Sequence, residues 1–369
     1  MKKNNFISLA LSAFILLIAI MVIFYPKANK IEKVTIDVIC DQTGAIAEYG
    51  QWVQKGVAIA SEKIKEKDPN FEIHFEDGQS NVNKAINAFE RITSTSKTKM
   101  VICGCNSSSV MSLSPKANST KTLLFSTIAS SPNMKETSEF VFSNRVLGIK
   151  EVEAISNNLE KLGITSIAIV AHNNEAGMPY IEAFSSANKN NHAQILSKTL
   201  IDPNSKDFRT ELIKLKKLNP KAVLLITPTE QSINFIKQSE SLNFTPIWIG
   251  ISSLKTDDFI KNGGELVNNM IIASESTDET NQQYIDFENR YKKKYHERPT
   301  IYAINGFEAT IILHSLIQKF GNDVNAVKQA LYSEKFETLS GTVSFDSNGI
   351  IQNKKVDLYT INNGHFIKI

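Results

Sequence analysis

From Lys33 onward the chain repeats one pattern: a short apolar run, a loop of small polar residues, then an amphipathic stretch. KVTIDVI reads as a strand, DQTGAIAEYG as the loop leaving it, and the next segment as a helix. That helix spaces Val53, Val57, Ala60 and Ile64 three and four residues apart. FEIHFE alternates apolar and polar residues, as a strand covered on one face does, and the helix after it points Ala85, Ala88, Phe89 and Ile92 inward. KMVIC, TLLFS, SIAIVA, AVLLIT and PIWIG are short apolar runs of the kind found in parallel strands buried on both faces. Between them fall helical patterns carrying Val152, Ile155, Leu159 and Leu162, then Phe208, Leu212, Leu215 and Leu218. Strand–helix alternation implies right-handed crossovers and doubly wound sheets. There are more strands than one such sheet needs, so the expected fold is α/β with two Rossmann-like lobes. Residues 282–333 read as almost all helix, and TVSFD and VDLYTI close the chain as strands around SNGIIQNKK. No Gly-, Pro- or Ser-rich linker separates the lobes, which predicts short crossings between them.

The first thirty residues follow different rules. Lys2 and Lys3 precede an uncharged stretch from Asn4 to Pro26. About 20 apolar residues suffice to cross a bilayer, and a basic N-terminal flank keeps that end cytoplasmic. An uncleaved transmembrane anchor over residues 1–30 is the preferred reading, with a cleaved signal peptide as the alternative. The run is long for a signal core, no small-x-small site closes it, and the first cysteine is Cys40. Under either reading the rest of the chain lies outside the cytoplasm, in the periplasm or at the cell surface. The 41 basic and 38 acidic side chains are intermixed, so no basic groove for nucleic acid is expected. Lys292–Lys294 reads as a solvated helix face.

Cys40, Cys103 and Cys105 fall at strand ends. They read either as small buried residues or as a disulfide between Cys40 and one of the other two, which an oxidising compartment permits. No histidine or further cysteine is placed to complete a metal site, and neither metal nor cofactor is expected.

In open α/β sheets, ligands bind beyond the carboxyl ends of the strands. The loop after KMVIC reads GCNSSSV and runs into a helix, offering hydroxyls and helix-start N–H groups suited to a carboxylate. The loop after TLLF, STIASSPNM, repeats that arrangement, with Pro132 opening a helix. Tyr49 in the first loop is placed to cover a ligand. Enzyme signatures are missing: GCNSSS is not the G-x-S-x-G elbow, and neither a phosphate-binding P-loop nor H-E-x-x-H occurs. His172 is the one histidine expected at a cleft. Binding without chemistry is the expectation.

The segments DQTGAIAEYGQWVQKGVAIASEKI, GCNSSSVMSLSP, FSTIASSPNM and LSGTVSFDSNG occur in a telling order and spacing. Together they resemble the leucine/isoleucine/valine-binding type of periplasmic binding protein, and SKDFRTELIKLKKLNPKAVLL is similar to that family's second-lobe signature. The likeness runs from about residue 32 to the C-terminus. It implies a type I periplasmic binding fold with a three-strand hinge, lobe 1 being 32–146 plus 275–337 and lobe 2 being 147–274 plus 338–369. It also implies a small ligand captured between the lobes, and usually delivery to an ABC permease. By resemblance, the carboxylate-binding serine is Ser107, with Ser108 beside it. The loop holding both ends of an amino acid is Ile128, Ala129 and Ser130, and the first-loop tyrosine is Tyr49. In the second lobe the family's ammonium-binding acid falls on Ser252. Its tyrosines fall near Ala176 and near Pro228 or Thr229. Glu175 and Glu230 are candidates for a replacement charge. Because a buried ammonium without a carboxylate is costly, a carboxylate, amide or modified amino acid is expected rather than an ordinary one. The alternative function is a membrane-tethered sensory or envelope-assembly protein that uses the same clamp without a permease.

Overall fold

The computed structural model describes residues 34–369 apart from 97, 174–176 and 191–192. The expected anchor, together with Glu175 and Ala176, lies outside the described residues.

The first sheet is built from β1 (Thr35–Cys40), β2 (Glu72–Asp77), β3 (Met100–Gly104), β4 (Leu123–Ser126) and β5 (Val141–Ser143). Their order is β2-β1-β3-β4-β5 and every pairing is parallel. Helices α1 (Ala47–Lys65), α2 (Val82–Thr95) and α3 (Ser107–Thr120) make the crossovers. After β5 the chain passes through α4 (Ile149–Ser156) into the second sheet, whose parallel core is β6 (Ser166–His172), β7 (Gln194–Ile201), β8 (Ala222–Ile226), β9 (Ile247–Gly250) and β10 (Ile271–Glu275). Helices α5 (Gly177–Ala187), α6 (Arg209–Leu218), α7 (Thr229–Ser241) and α8 (Asp257–Gly263) connect these strands. The chain then returns through α9 (Gln282–Tyr295), α10 (Ile301–Phe320) and α11 (Val324–Ser333). A small sheet of β11 (Phe336–Thr338), β12 (Gly341–Phe345) and β13 (Ile351–Gln352) follows. Two antiparallel strands, β14 (Val356–Asn362) and β15 (His365–Lys368), complete the second sheet, in the order β15-β14-β10-β9-β8-β6-β7.

The uninterrupted burial of β3, β4 and β8 matches their apolar runs. Edge strand β7 is polar and half-exposed, and carries no such signal. The α4 helix is shorter than its periodicity predicts: it ends at Ser156, and Leu159 reaches the core from the turn beyond. Leu218 is exposed rather than inward. Phe345 packs edge-on against Phe125 and Phe142 of the first sheet. Residues 336–352 therefore sit with the first lobe, and the last crossing falls at 353–355 instead of the 337/338 division expected above.

Of the two readings of the cysteines, the link between Cys40 and Cys103 or Cys105 is not formed: Cys103 is bonded to Cys105, and Cys40 is free and buried. Strand parity explains this. Ile39 is in register with Cys103 and Cys40 with Gly104, so Cys40 points to the opposite face of the sheet from the two partners.

The chain crosses between lobes three times, and each crossing contributes one ion to a buried cluster. Arg145 comes from the first, Glu275 from the second and Lys354 from the third. The Arg145 guanidinium reaches Glu275 through Nη1, and Glu151 and Ser252 through Nη2, both at 2.6 Å. The Val146 N–H donates to Glu275 at 2.8 Å. Lys354 Nζ donates to Asn305 at 2.7 Å and Glu308 at 2.8 Å, and lies 3.5 Å from Glu275. Two cations thus face three carboxylates, all essentially removed from water. Burial pushes the Glu151 carboxyl up, against the pull of Arg145. Burial acts the same way on Glu275, but Arg145 and Lys354 overcome it and hold that carboxyl low. Removing one partner of such a cluster strands uncompensated charge. Arg145→Met is expected to lower stability by about 3–5 kcal/mol, read as a shift in the urea midpoint.

Candidate functional site

Both sheets share one topology: in each, the second strand in sequence lies outside the first, and the third lies on the other side. The switch points are therefore β1/β3 and β6/β8. Loops leaving the carboxyl ends of these strands diverge there, and ligands bind in the crevice that results. The two crevices face each other across a cleft of about 410 Å³.

On the first-lobe side, Asn106 caps α3 by accepting from Ser109 N at 2.8 Å, which places Ser107 and Ser108 at the helix start beside the cleft. Ser107 Oγ accepts from the N–H groups of Ser130 and Ser131, at 3.3 and 3.2 Å. Its own hydroxyl proton is still available for a ligand. Pro132 opens a five-residue 3₁₀ turn rather than an α-helix. Ile128 and Ser130 line the cleft, whereas Ala129 is buried behind them in the core of that lobe. Tyr49 belongs to the first turn of α1, not to the preceding loop. Its ring lies 4.9 Å from Tyr302, which in turn stacks on Trp52 at 5.8 Å. This cluster needs α1 and α10 to pass closely: a Cβ on Gly56 would lie 1.9 Å from the Ala303 carbonyl oxygen.

The second-lobe wall, among the described residues, is built of apolar and hydroxyl side chains and the His172 ring. Ile226, Thr227 and Pro228 come from the β8 loop, Ile251 and Ser253 from the β9 loop, and Tyr180 from α5. Among the described residues no Asp, Glu, Lys or Arg lines this cleft. Ser252 sits behind the wall, its hydroxyl accepting from Arg145. Thr229 is turned away, donating to the Ser253 carbonyl at 3.2 Å. Glu230 is exposed on an adjoining rim with Glu48 and Asp258 rather than in the wall. The His172 ring bonds to Gln231 and not to a serine, and burial holds the imidazole below its ordinary range.

Tyr180 and Tyr302 were invisible to motif reading. Both come from helix faces, and only the packing of distant elements brings them to the cleft. The Tyr180 hydroxyl bonds Ser130 Oγ at 2.8 Å, joining the lobes across the cleft. It lies so close to the first crossing that a Cβ on Gly148 would meet it at 1.8 Å. A small residue in that crossing was the only signal available.

This geometry defines a class: a two-lobed capture protein whose binding surfaces meet when the lobes close. The chain belongs to the periplasmic binding protein family, whose profile matches residues 33–365, and members of that family work outside the cytoplasm. A Leu/Ile/Val-binding protein homolog of Brucella melitensis is 20% identical over 343 residues, 90% of this chain and 93% of its own. A leucine-binding protein from Thermotoga maritima superposes with a TM-score of 0.82 at 21% identity, covering 91% of this chain and 97% of that one. A branched-chain amino acid transporter substrate-binding protein from Streptococcus pneumoniae, solved with isoleucine, gives 0.84 at 19% identity over 92% and 99%. An ABC-transporter solute-binding protein from Rhodopseudomonas palustris, solved with 3,4-dihydroxybenzoic acid, gives 0.83 at 17% identity over 91% and 96%. Among the described residues no helix is long and apolar enough to cross a membrane.

Two outcomes follow. Tyr180→Phe removes the bond between the lobes and should weaken ligand binding by about 0.5–1.5 kcal/mol, measurable by calorimetry. Glu48 lies near the Thr229 N–H of the facing lobe and the Tyr49 hydroxyl of its own helix, with Asp258 and Glu230 close by, and burial pushes its carboxyl up to about 7. A carboxyl whose value is raised on closure takes up a proton, so closure is favoured at low pH. That advantage is lost as pH rises towards about 7. Affinity should fall over the window from about pH 4.5 to about 7, by less than tenfold per unit for this partly exposed group. Glu48→Gln should flatten the profile.

Proposed function

We propose that this protein is the solute-binding component of an uptake system, capturing a small carboxylate or amide with an apolar body and passing it to an ABC permease. The candidate contacts are Ser107, Ser108, Ile128, Ser130 and Tyr49 from one lobe, with Tyr180, Thr227, Ile251 and Tyr302 completing the enclosure. One observation carries the reading: hydroxyls and a helix start on one wall face a second wall that is apolar, hydroxylic and without charge among the described residues. The first wall suits a carboxylate. The second suits a hydrocarbon or aromatic body and, among the described residues, offers an ammonium no carboxylate, so an α-amino acid paired with those residues alone would bury a charge at a cost. The benzoate-type ligands of relatives fit that division, and leucine-type ligands fit it less well. In this reading the apolar segment from Asn4 to Pro26 tethers the clamp to the membrane near its permease.

A thermal-shift panel pairing amino acids with their deaminated counterparts tests it, for example leucine against 4-methylpentanoate. A ligand at one hundred times its Kd stabilises the fold by about 2.7 kcal/mol. The acids are expected to raise Tm and the amino acids not to. Shifts from amino acids alone would place an ammonium partner in the cleft, and no shift from any compound would remove the transport reading. Ser107→Ala should weaken the acid by roughly 1–3 kcal/mol, read by calorimetry.

A further inference from the structure

A second cavity, of about 290 Å³, opens where β10 and the chain after β9 face α9 and the start of α10. It borders the second crossing, with Ser274 and Glu275 in its wall. Two groups there lack the partners that buried polar groups ordinarily have. Ser274 is 1% exposed, and its Oγ makes no hydrogen bond among the described residues. Such orphan hydroxyls are uncommon and call for an explanation. Lys255 makes no salt bridge among the described residues, and its ammonium instead sits 3.6 Å above the centre of the Tyr359 ring. The other cations around the cavity are engaged: Arg298 with Asp257 at 2.8 Å, Lys292 with Glu288 at 2.9 Å, and Lys368 with Asp357.

We infer that this cavity is a second binding site, taking a small monocarboxylate whose anionic end meets Lys255 and Ser274 and whose body lies among Tyr284, Tyr359 and Phe366. The chemistry selects one negative charge. A cation with no salt bridge among the described residues and a hydroxyl donor in the same cavity wall can together satisfy a carboxylate. The surrounding Asp257, Glu279, Glu288 and Asp357 carboxylates repel any anion, and a dianion such as phosphate about twice as strongly as a monocarboxylate. The aromatic rings supply apolar surface for a ligand body, and the volume admits a benzoate-sized molecule. Because the wall draws on both lobes beside a crossing, an occupant also bears on the angle between them.

Burial pulls the Lys255 ammonium down to about 8, with Glu279 and Asp357 opposing that change and Arg298 and Lys368 adding to it. The anion requires the protonated amine, so binding weakens as pH rises through about 8, while the free amine becomes open to acylation.

The test uses the full chain with benzoate as probe. At pH 8 Lys255 is acylated with and without benzoate, and peptide mass spectrometry reads the rate at that residue. Several-fold protection is expected in both the parent and Ser107→Ala, a variant that impairs the main cleft only. Calorimetry with Lys255→Met should show at least a tenfold loss for one class of benzoate site, and Ser274→Ala a smaller loss. Unchanged acylation under saturating benzoate overturns the proposal, as does benzoate binding that Ser107→Ala abolishes and Lys255→Met leaves intact. If no benzoate binds to Ser107→Ala at millimolar concentration, the second site is likewise excluded. Cleft ligands found by the thermal-shift panel would stand regardless.

Discussion

The guanidinium of Arg145 is the point on which the two lobes depend. It touches a carboxylate at the end of β10, another on α4, a hydroxyl behind the cleft wall, and the face of Tyr302 at 5.8 Å. A well-packed apolar hinge would hold two lobes as firmly, since buried ion pairs often give little net stability against hydrophobic replacements. What ions add is discrimination among arrangements. A misaligned crossing separates charges that have no water to turn to, so few inter-lobe geometries are tolerated. The cleft inherits this restriction because Tyr302 belongs both to the cluster and to the cleft lining, while Ser252 joins the cluster from behind the wall.

The parallel strands and their helices were legible because burial on both faces leaves an unmistakable apolar run, and a helix covering one face leaves a three-and-four spacing. The half-exposed edge strand β7 left neither. The β14–β15 hairpin did carry a readable mark, Asn363-Gly364, both with positive φ, as its two-residue turn requires. The first-lobe loops that line the cleft after β3 and β4 were legible because they directly follow the strands that position them. Tyr180, Tyr302 and the Arg145 cluster were not, since nothing local distinguishes a tyrosine facing a cleft from one facing a core. Ser252 illustrates the boundary. Its position was readable by resemblance, but the guanidinium that occupies its hydroxyl comes from more than one hundred positions earlier.

The two walls of the cleft divide recognition unequally. One is built of backbone and hydroxyl groups held by helix starts, so it suits any ligand with a suitable anionic or amide end. The other, among the described residues, is hydrocarbon, phenol and hydroxyl with the His172 ring, and in the proposed reading it would select by shape. A clamp of this kind tolerates changes in ligand body through substitutions at Ile226 or Ile251 without disturbing the anion half.

The strand parity that keeps Cys40 from its two fellow cysteines gives the first lobe a silent reporter. Burial pushes its thiol up to about 12 and no solvent reaches it, so in the native state it has neither thiolate character nor access. It becomes reactive only when β1 separates from its neighbours. Thiol labelling in the folded protein would therefore clock the opening of that sheet alone, unaffected by lobe closure, while the bonded pair on the other face stays out of the measurement.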